Sequence, residues 1–543
     1  GDFSKLNTIA NIADGPITAT VQGTGTALTS STPLSNLGTS DKISFQIVTS
    51  ATPAQIKTIS TYRASDGNYP ITFVGSANLT GAYNDFVSSG SDHTNYTTVK
   101  SETSGVPIAL STFTTASAQM ITDLNKLLKE AEGVVTVAIE DDVSNYSLLT
   151  SASNRLNTAN DNSKTHSVTV NTGSQALGSA TVGNLNNLAG QSPITSITGT
   201  ITAFTATAVD ALSADLDSDN STMSFTMASD APLTVSQATG LLDHTSATTT
   251  GVNVIYTGGI SGALSDFTVA ANPSSVITAV QAVITEDSDA PLTVTNTKLT
   301  TKTEIAQLNA LATASAGVIT ATVEATGENL LSIGSGGITI GTADTDAITI
   351  TVTDAISPSH WNTLDGKTSS TVTLSGGFSG ALSGFADDSD ITSNLSSAFG
   401  VAANKSQKIT VTGTLGSANI TALNQLATDT NHTGVVQATL SGALADFSSL
   451  GTSASDGDLI AITITDALDS TDIAALNTLK TKTAGVITVS HSTGITATAA
   501  QLKTLDTDTS DVVTMTVSGT SNTVEDVLLA STKTSLLTNM SIE

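Results

Sequence analysis

The sequence contains no cysteine, which excludes disulfide bonds and thiolate metal sites. Aromatic residues make up only 3% of its 543 residues and charged residues only 12%, yet hydrophobic residues reach 38%. The chain is therefore too apolar for a disordered protein and too poor in aromatic residues for an ordinary enzyme core. Its many small and β-branched residues favour thin, regularly stacked strands.

Basic residues are also scarce, since 18 Lys and Arg face 47 Asp and Glu, for a net charge of −29. Nucleic acids and anionic membrane surfaces bind clustered Lys and Arg, so neither is expected as a partner. No apolar run approaches the roughly 20 residues that a membrane-spanning helix needs, so membrane insertion is not expected either. Because the chain starts at Gly1 without a basic and apolar leader, we expect a processed or trimmed start.

The motif Leu-Asn-x-Leu recurs along the chain, once with Trp361 in place of its first Leu. Its copies occupy residues 124–127, 185–188, 308–311, 361–364, 423–426 and 476–479. In three copies the same number of residues separates the motif from a Gly that opens the next strand, namely Gly133, Gly317 and Gly485. The spacing indicates a repeating unit of about 26 residues, often doubled to about 53.

Each repeat is predicted to be a short amphipathic helix followed by a strand. Leu476 and Leu479 share one helical face, and residues 486–489 are apolar and β-branched. Residues 348–352 alternate Ile or Val with Thr, which indicates a strand with one buried face. Strand, helix and strand in regular succession imply crossovers between parallel strands.

These patterns predict a mainly β fold with short helices, arranged as an elongated parallel β-solenoid-like repeat array. Tandem β-sandwich domains are the alternative. The predicted boundaries are an N-terminal cap over 1–42, the repeat array over 43–523, and a C-terminal cap or truncated repeat over 524–543.

A second motif follows several strands and ends in phenylalanine. Its copies run from Leu79, Ile260, Phe378 and Leu440, and each contains Ser-Gly-Ala or Thr-Gly-Ala. Few large side chains are available to this protein, so we expect the terminal Phe86, Phe267, Phe385 and Phe447 to plug the core.

Aspartate clusters are the main chemical signal. Carboxylates at alternating positions in a turn can converge on Ca²⁺, which takes six to eight oxygen ligands. The candidate calcium ligands, with solvated turns as the alternative, are Asp215, Asp217, Asp219, Asp387, Asp388, Asp390, Asp506, Asp508 and Asp511. Catalytic residues are not predicted, because the six histidines lack metal-ligand spacing and no Gly-x-Ser-x-Gly motif is present.

Three features resemble the repeats of large bacterial cell-surface proteins. They are the segment 498–505, Thr-Ala-Ala-Gln-Leu-Lys-Thr-Leu, the Leu-Asn-x-Leu copies and the Gly-Val-Ile-Thr strands. They look most like the S-layer-like and strand-repeat surface proteins of marine cyanobacteria. The resemblance implies secretion, assembly into a coat or fibre, and calcium dependence. It supplies no catalytic residues.

The expected function is that of a structural extracellular surface protein that self-assembles into a coat, sheet or filament, with a cell-surface glycan as a further candidate partner. The alternative is a binding module such as an adhesin stalk or a phage fibre. A glycan-active β-helix enzyme is disfavoured, because the outward strand positions are mostly Thr and Ser with few aromatic residues to stack on sugars.

Overall fold

A computed structural model gives the fold of the chain. It describes residues 3–30, 36–62, 69–114, 117–140, 167–176, 179–191, 194–214, 216, 221–228, 232–245, 254–331, 340–343, 345–505 and 511–518.

The described residues form seventeen α-helices, most of them only two or three turns long. In chain order they are α1 Phe3–Ile12, α2 Gly25–Thr29, α3 Pro53–Ser60, α4 Thr94–Glu102, α5 Ala118–Glu130, α6 Ser179–Ala189, α7 Ala206–Asp210, α8 Val235–Leu242, α9 Leu264–Phe267, α10 Thr278–Glu286, α11 Lys302–Ala314, α12 Gly327–Leu331, α13 Pro358–Asp365, α14 Ser393–Phe399, α15 Ile420–Thr428, α16 Ile473–Lys480 and α17 Ala499–Leu502. Short 3₁₀ helices occupy Tyr83–Asp85, Leu382–Gly384, Ala402–Asn404, Ser417–Asn419 and Leu444–Phe447.

Strands alternate with these helices throughout. They are β1 Thr18–Gly23, β2 Lys42–Ile47, β3 Ser50–Ala51, β4 Ile71–Phe73, β5 Asn78–Gly81, β6 Val87–Ser88, β7 Ser91–Asp92, β8 Ile108–Leu110, β9 Val135–Glu140, β10 Ser167–Ala176, β11 Ile194–Phe204, β12 Ser221–Met227, β13 Leu233–Thr234, β14 Val254–Ile255, β15 Ile260–Gly262, β16 Leu292–Val294, β17 Ile319–Ala325, β18 Ala347–Val352, β19 Val372–Leu374, β20 Phe378–Gly380, β21 Ile409–Leu415, β22 Val436–Gly442, β23 Leu459–Ile464, β24 Leu468–Asp469, β25 Ile487–Val489, β26 Ile495–Ala497, β27 Val512–Val513 and β28 Met515–Val517.

The fold is therefore mixed α/β, and the prediction of a mainly β solenoid is wrong, as is the β-sandwich alternative. Parallel sheets of up to eight strands are connected through helices, and the described residues form no closed solenoid. The physical reason is that the crossovers are capped helices and not turns. The Thr301 hydroxyl accepts the N–H of Glu304, and the Glu304 carboxylate accepts the N–H of Thr301, which starts the 13-residue helix α11.

The chain divides into two compact units. Unit 1 consists of Gly1–Ser261 with Ala279–Pro291, and unit 2 of Gly262–Thr278 with Leu292–Glu543. Unit 1 contains a three-stranded sheet in the order β1-β2-β4 and an eight-stranded sheet in the order β14-β12-β11-β10-β9-β8-β5-β3. The adjacent strands of both sheets are parallel, for example β9 with β10 and β10 with β11.

Unit 2 contains β16 to β19 as neighbours in chain order, a six-stranded sheet β20-β21-β22-β23-β25-β27, and a small sheet β24-β26-β28. The register of β23 with β25 places Ile462 opposite Ile487 and Ile464 opposite Val489, and all four side chains are buried. Stacked rows of β-branched side chains on the inward face therefore form the core of this unit.

The predicted helix and strand around residues 472–489 are confirmed. Helix α16 buries Leu476 and Leu479, and strand β25 follows it. Val486, expected to open the strand, lies just before it and is 37% exposed. The parallel crossovers are also confirmed, as in the pairing of β17 with β18.

The phenylalanines that close the second motif plug the core as predicted. Phe86, Phe267 and Phe385 are fully buried, and Phe447 is 2% exposed. Within unit 1, Phe86 packs edge-on against Tyr96 with ring centroids 5.2 Å apart.

Candidate functional site

Five of the aspartates predicted as calcium ligands, Asp215, Asp217, Asp219, Asp506 and Asp508, lie outside the residues that the structure describes, as does the predicted C-terminal segment 524–543. Asp387, Asp388 and Asp390 share one exposed turn after Phe385. Asp511 lies apart from this turn and is buried.

The turn at Asp387 is organised by its own backbone. Asp387 Oδ1 accepts the N–H of Ser389 at 2.7 Å and that of Asp390 at 3.1 Å. These two hydrogen bonds hold the pKa of the Asp387 carboxyl below its ordinary value. Across the described residues, no three His, Asp or Glu side chains are arranged to hold a metal ion. Calcium binding at this turn stays a prediction.

Asp511 is bound inside the protein. Its Oδ1 accepts the N–H of Ile487, the first residue of β25, at 2.8 Å, and its Oδ2 lies 3.0 Å from Lys480 Nζ. The Asp511 side chain is fully buried and that of Lys480 is 14% exposed. This carboxylate therefore joins the start of one strand to the end of helix α16.

Asp41, Asp346 and Asp458 repeat this arrangement at other strands. Asp346 accepts the N–H of Ile319, 27 residues earlier, at 2.9 Å, and Asp458 accepts that of Val436 at 3.0 Å. Each of the three accepts a second N–H from its own loop, at 2.7 to 3.2 Å. Burial raises the pKa of the Asp458 carboxyl, although its two backbone hydrogen bonds oppose that effect.

At other strands, threonine and asparagine side chains accept the backbone N–H in place of aspartate. Thr368 Oγ1 accepts the N–H of Ile348, Thr483 Oγ1 accepts that of Ile460, and Asn404 Oδ1 accepts that of Leu374. These buried polar side chains satisfy backbone groups at or near strand ends, where an unpaired N–H would cost stability.

The asparagine of the Leu-Asn-x-Leu motif has a role that the sequence did not reveal. Asn186 donates from Nδ2 to Ala211 O at 2.6 Å and accepts the N–H of Ser213 at 2.9 Å. Asn477 likewise donates to Thr504 O, 27 residues later, at 2.8 Å. In these copies the motif asparagine thus ties its helix to the loop of the following repeat.

Unit 1 also holds a network of ion pairs. Lys126 and Lys100 each contact both Asp92 and Glu130. The hydrogen bond that Lys126 donates to the Glu130 carboxylate is the main cause that raises the pKa of the Lys126 ammonium. The network joins strand β7 to helices α4 and α5, which is a structural role.

Two grooves run between successive crossover helices. In unit 1, a space of about 470 Å³ between α7 and α8 is lined by Asp210, Gln237, Gly240 and His244. Gln237 Nε2 donates to both oxygens of Asp210 at 2.8 Å. In unit 2, a space of about 270 Å³ lies between Leu444–Phe447 and α16. The grooves are open because small residues line them, such as Gly240 in unit 1 and Ala475 in unit 2.

The outward side of the sheet β20-β21-β22-β23-β25-β27 in unit 2 carries no charged side chain within its strands. Its side chains alternate with the buried ones along β22, β23, β25 and β27, whereas β21 exposes residues 412–414 where its register with β22 shifts, and every one of these side chains is uncharged. We call this surface the uncharged face. It consists of Thr410, Thr414, Gln437, Thr439, Leu459, Ala461, Thr463, Val486, Thr488 and Val512.

Comparison with known proteins identifies no relative, since no family model and no curated protein matches the chain. Among the described helices, none combines the length and the apolar character that crossing a membrane requires. The uncharged face is the candidate functional surface, because its exposed side chains carry no charge in a strongly acidic chain.

Proposed function

We propose that the protein is a structural, extracellular surface protein that assembles with copies of itself into a coat, sheet or filament. The observation that carries this proposal is the uncharged face, which a chain of net charge −29 presents on a parallel sheet. Like-charged copies repel each other, so contact between them favours surfaces without carboxylates.

The interior supports the same proposal. Asp346, Asp458 and Asp511 are directed at backbone N–H groups of the protein itself, and the motif asparagines bind neighbouring loops. These polar side chains hold repeated units in register. A location at the cell surface and a dependence on calcium belong to the same proposal, and they rest on the resemblance in sequence.

Electron microscopy of the purified chain, with and without millimolar calcium, tests the proposal. Ordered sheets or filaments, more abundant with calcium, are expected. Monomeric particles of uniform size under both conditions and at every concentration would overturn it.

A further inference from the structure

We infer that the uncharged face of β21, β22, β23, β25 and β27 is where two copies of this chain contact each other. This inference rests on the proposed function, which it deepens by assigning the contact to one surface. The occupant is a second copy of the same chain, seated through the same face.

The side chains of the uncharged face form rows across neighbouring strands. Thr410, Gln437 and Leu459 share one row, because Thr410 pairs with Gln437 and Gln437 with Leu459. Thr463, Thr488 and Val512 share another row. Strands lie about 4.8 Å apart, and outward side chains about 6.7 Å apart along each strand, so the rows present a regular surface.

Aliphatic side chains cross these rows on three successive strands. Leu459 precedes the buried Ile460 of β23, Val486 precedes β25, and Val512 opens β27. Their exposed fractions are 40%, 37% and 38%, so the three side chains add apolar area to this face. Val486 and Val512 both neighbour Thr488, whose methyl group adds to the apolar surface and whose hydroxyl can hydrogen-bond across a contact.

The net charge of the chain indicates which partner binds the uncharged face. The chain carries 47 acidic and 18 basic residues, so a cationic partner would favour the acidic loops and not a face without carboxylates. A second copy is itself strongly acidic and is repelled except where both surfaces are neutral. Two uncharged faces related by a twofold axis meet this condition, because such a contact uses the same patch on both copies. By itself this contact closes a dimer, so a sheet or filament joins such dimers through a further surface.

The area of the uncharged face limits how tightly two copies can bind through it. The ten side chains of the uncharged face, each covering about 4.8 Å by 6.7 Å, occupy about 320 Å², less than half of the roughly 800 Å² that each partner buries in a stable complex. The contact between two faces is therefore weak and depends on concentration. Salt strengthens it, because the Debye length falls from about 30 Å at 0.01 M to about 8 Å at 0.15 M ionic strength.

Sedimentation equilibrium of the full chain over a concentration series tests the inference. Val486→Asp places a carboxylate within both faces, and it is expected to weaken association at least about tenfold. The matched control is Thr478→Asp, which adds the same charge at an exposed position of α16. It is expected to leave association within about twofold of the unmodified chain. Leu459→Asp replaces Val486→Asp if circular dichroism shows that the first variant does not fold.

The outcomes separate the inference from the proposed function. If the unmodified chain associates and neither Val486→Asp nor Leu459→Asp weakens it, the assignment to this face is overturned while assembly stands. If the unmodified chain stays monomeric at 0.15 M salt and the highest concentration reached, both are overturned. If it stays monomeric but cosediments with insoluble cellulose or chitin, and Val486→Asp reduces that binding, the face belongs to a glycan and the inference is wrong.

Discussion

Asn424 and Gly451 are joined by a hydrogen bond of 2.6 Å, from the Gly451 N–H to Asn424 Oδ1, across 27 residues of sequence. The same asparagine donates from Nδ2 to Ser449 O at 2.8 Å. Asn309 and Gly341 repeat the first bond, also at 2.6 Å. A side chain on a crossover helix thus closes the loop that follows the next strand.

Replacing Asn424 with Ala is expected to lower the free energy of unfolding by about 1 to 2 kcal/mol, because two backbone groups lose their partner. Urea unfolding measures the change. Asn362 occupies the same position of the motif and is exposed, so Asn362→Ala is the control for helix propensity. That control is expected to be neutral or to stabilise by about 0.5 kcal/mol. Equal effects of the two substitutions would contradict the role assigned to Asn424.

The local elements were predictable because their signals are local. Leu476 and Leu479 mark a helix face by their spacing, and Ile348 and Ile350 mark a strand face by alternation. The mixed α/β fold was missed although one of its signals was present. Thr301 and Glu304 form a capping box that starts a helix of 13 residues, which is too long for the turn of a thin β-array.

The roles of the polar residues could not be predicted, because their partners lie one repeat away. Nothing in the sequence beside Asp458 points to the N–H of Val436, which only the sheet register brings within 3.0 Å. The backbone donors of Asp387 and Asp511 were likewise not visible in the sequence, and calcium binding at the aspartate clusters stays a prediction. The uncharged outward face was visible as alternating threonines, but its continuity across five strands required the register.

The buried pair of Lys480 and Asp511 gives a second prediction. Lys480→Met leaves a fully buried carboxylate without its cation, and it is expected to lower the free energy of unfolding by about 3 to 5 kcal/mol. Lys298→Met is the control, because Lys298 and Glu324 form a pair at 2.9 Å with side chains 48% and 40% exposed. That change is expected to stay within about 1 kcal/mol. Similar losses in both variants would show that Asp511 does not depend on Lys480.

The pH dependence of stability provides a third prediction. Burial raises the pKa of Asp458, so the folded state binds a proton more tightly than the unfolded state. The contribution of Asp458 to the free energy of unfolding is therefore greatest at pH values below its unfolded-state pKa of about 3.9. It is lost as the pH rises through the higher pKa of the folded state. We expect the unfolding free energy of the unmodified chain, relative to Asp458→Asn, to fall over this window in chemical denaturation at several pH values.

Asp387 is the matched comparison for this titration, because its pKa is lowered by the N–H groups of Ser389 and Asp390. Its contribution is present above the unfolded pKa and is lost as the pH falls through the lowered folded pKa. The difference between the unmodified chain and Asp387→Asn is therefore expected to change with pH in the opposite direction. Slopes of the same sign for both substitutions would contradict the assignment.

The core position of Leu476 supports a fourth prediction. Its side chain is 2% exposed, so Leu476→Asp buries a carboxylate without a partner and is expected to destabilise unit 2 by several kcal/mol. Thr478→Asp, two residues along the same helix and exposed, is expected to change stability by less than about 0.5 kcal/mol. Hydrogen exchange would show whether the loss spreads to β25. Full protection of β25 in the Leu476→Asp variant would contradict the coupling of helix and strand.

Gly485 gives the last prediction, because it approaches the neighbouring strand closely. A Cβ at this position would lie 2.5 Å from Ile460 O and 2.6 Å from Ile460 C, which are backbone atoms that cannot move aside cheaply. Gly485→Ala is therefore expected to lower the thermal midpoint and to cost about 1 to 3 kcal/mol. Gly183 lies within helix α6 and has open space around it, so Gly183→Ala is expected to stabilise by up to about 1 kcal/mol. If Gly485→Ala lowers the stability and Gly183→Ala raises it, the glycine that follows the motif is required by strand packing and not by backbone flexibility.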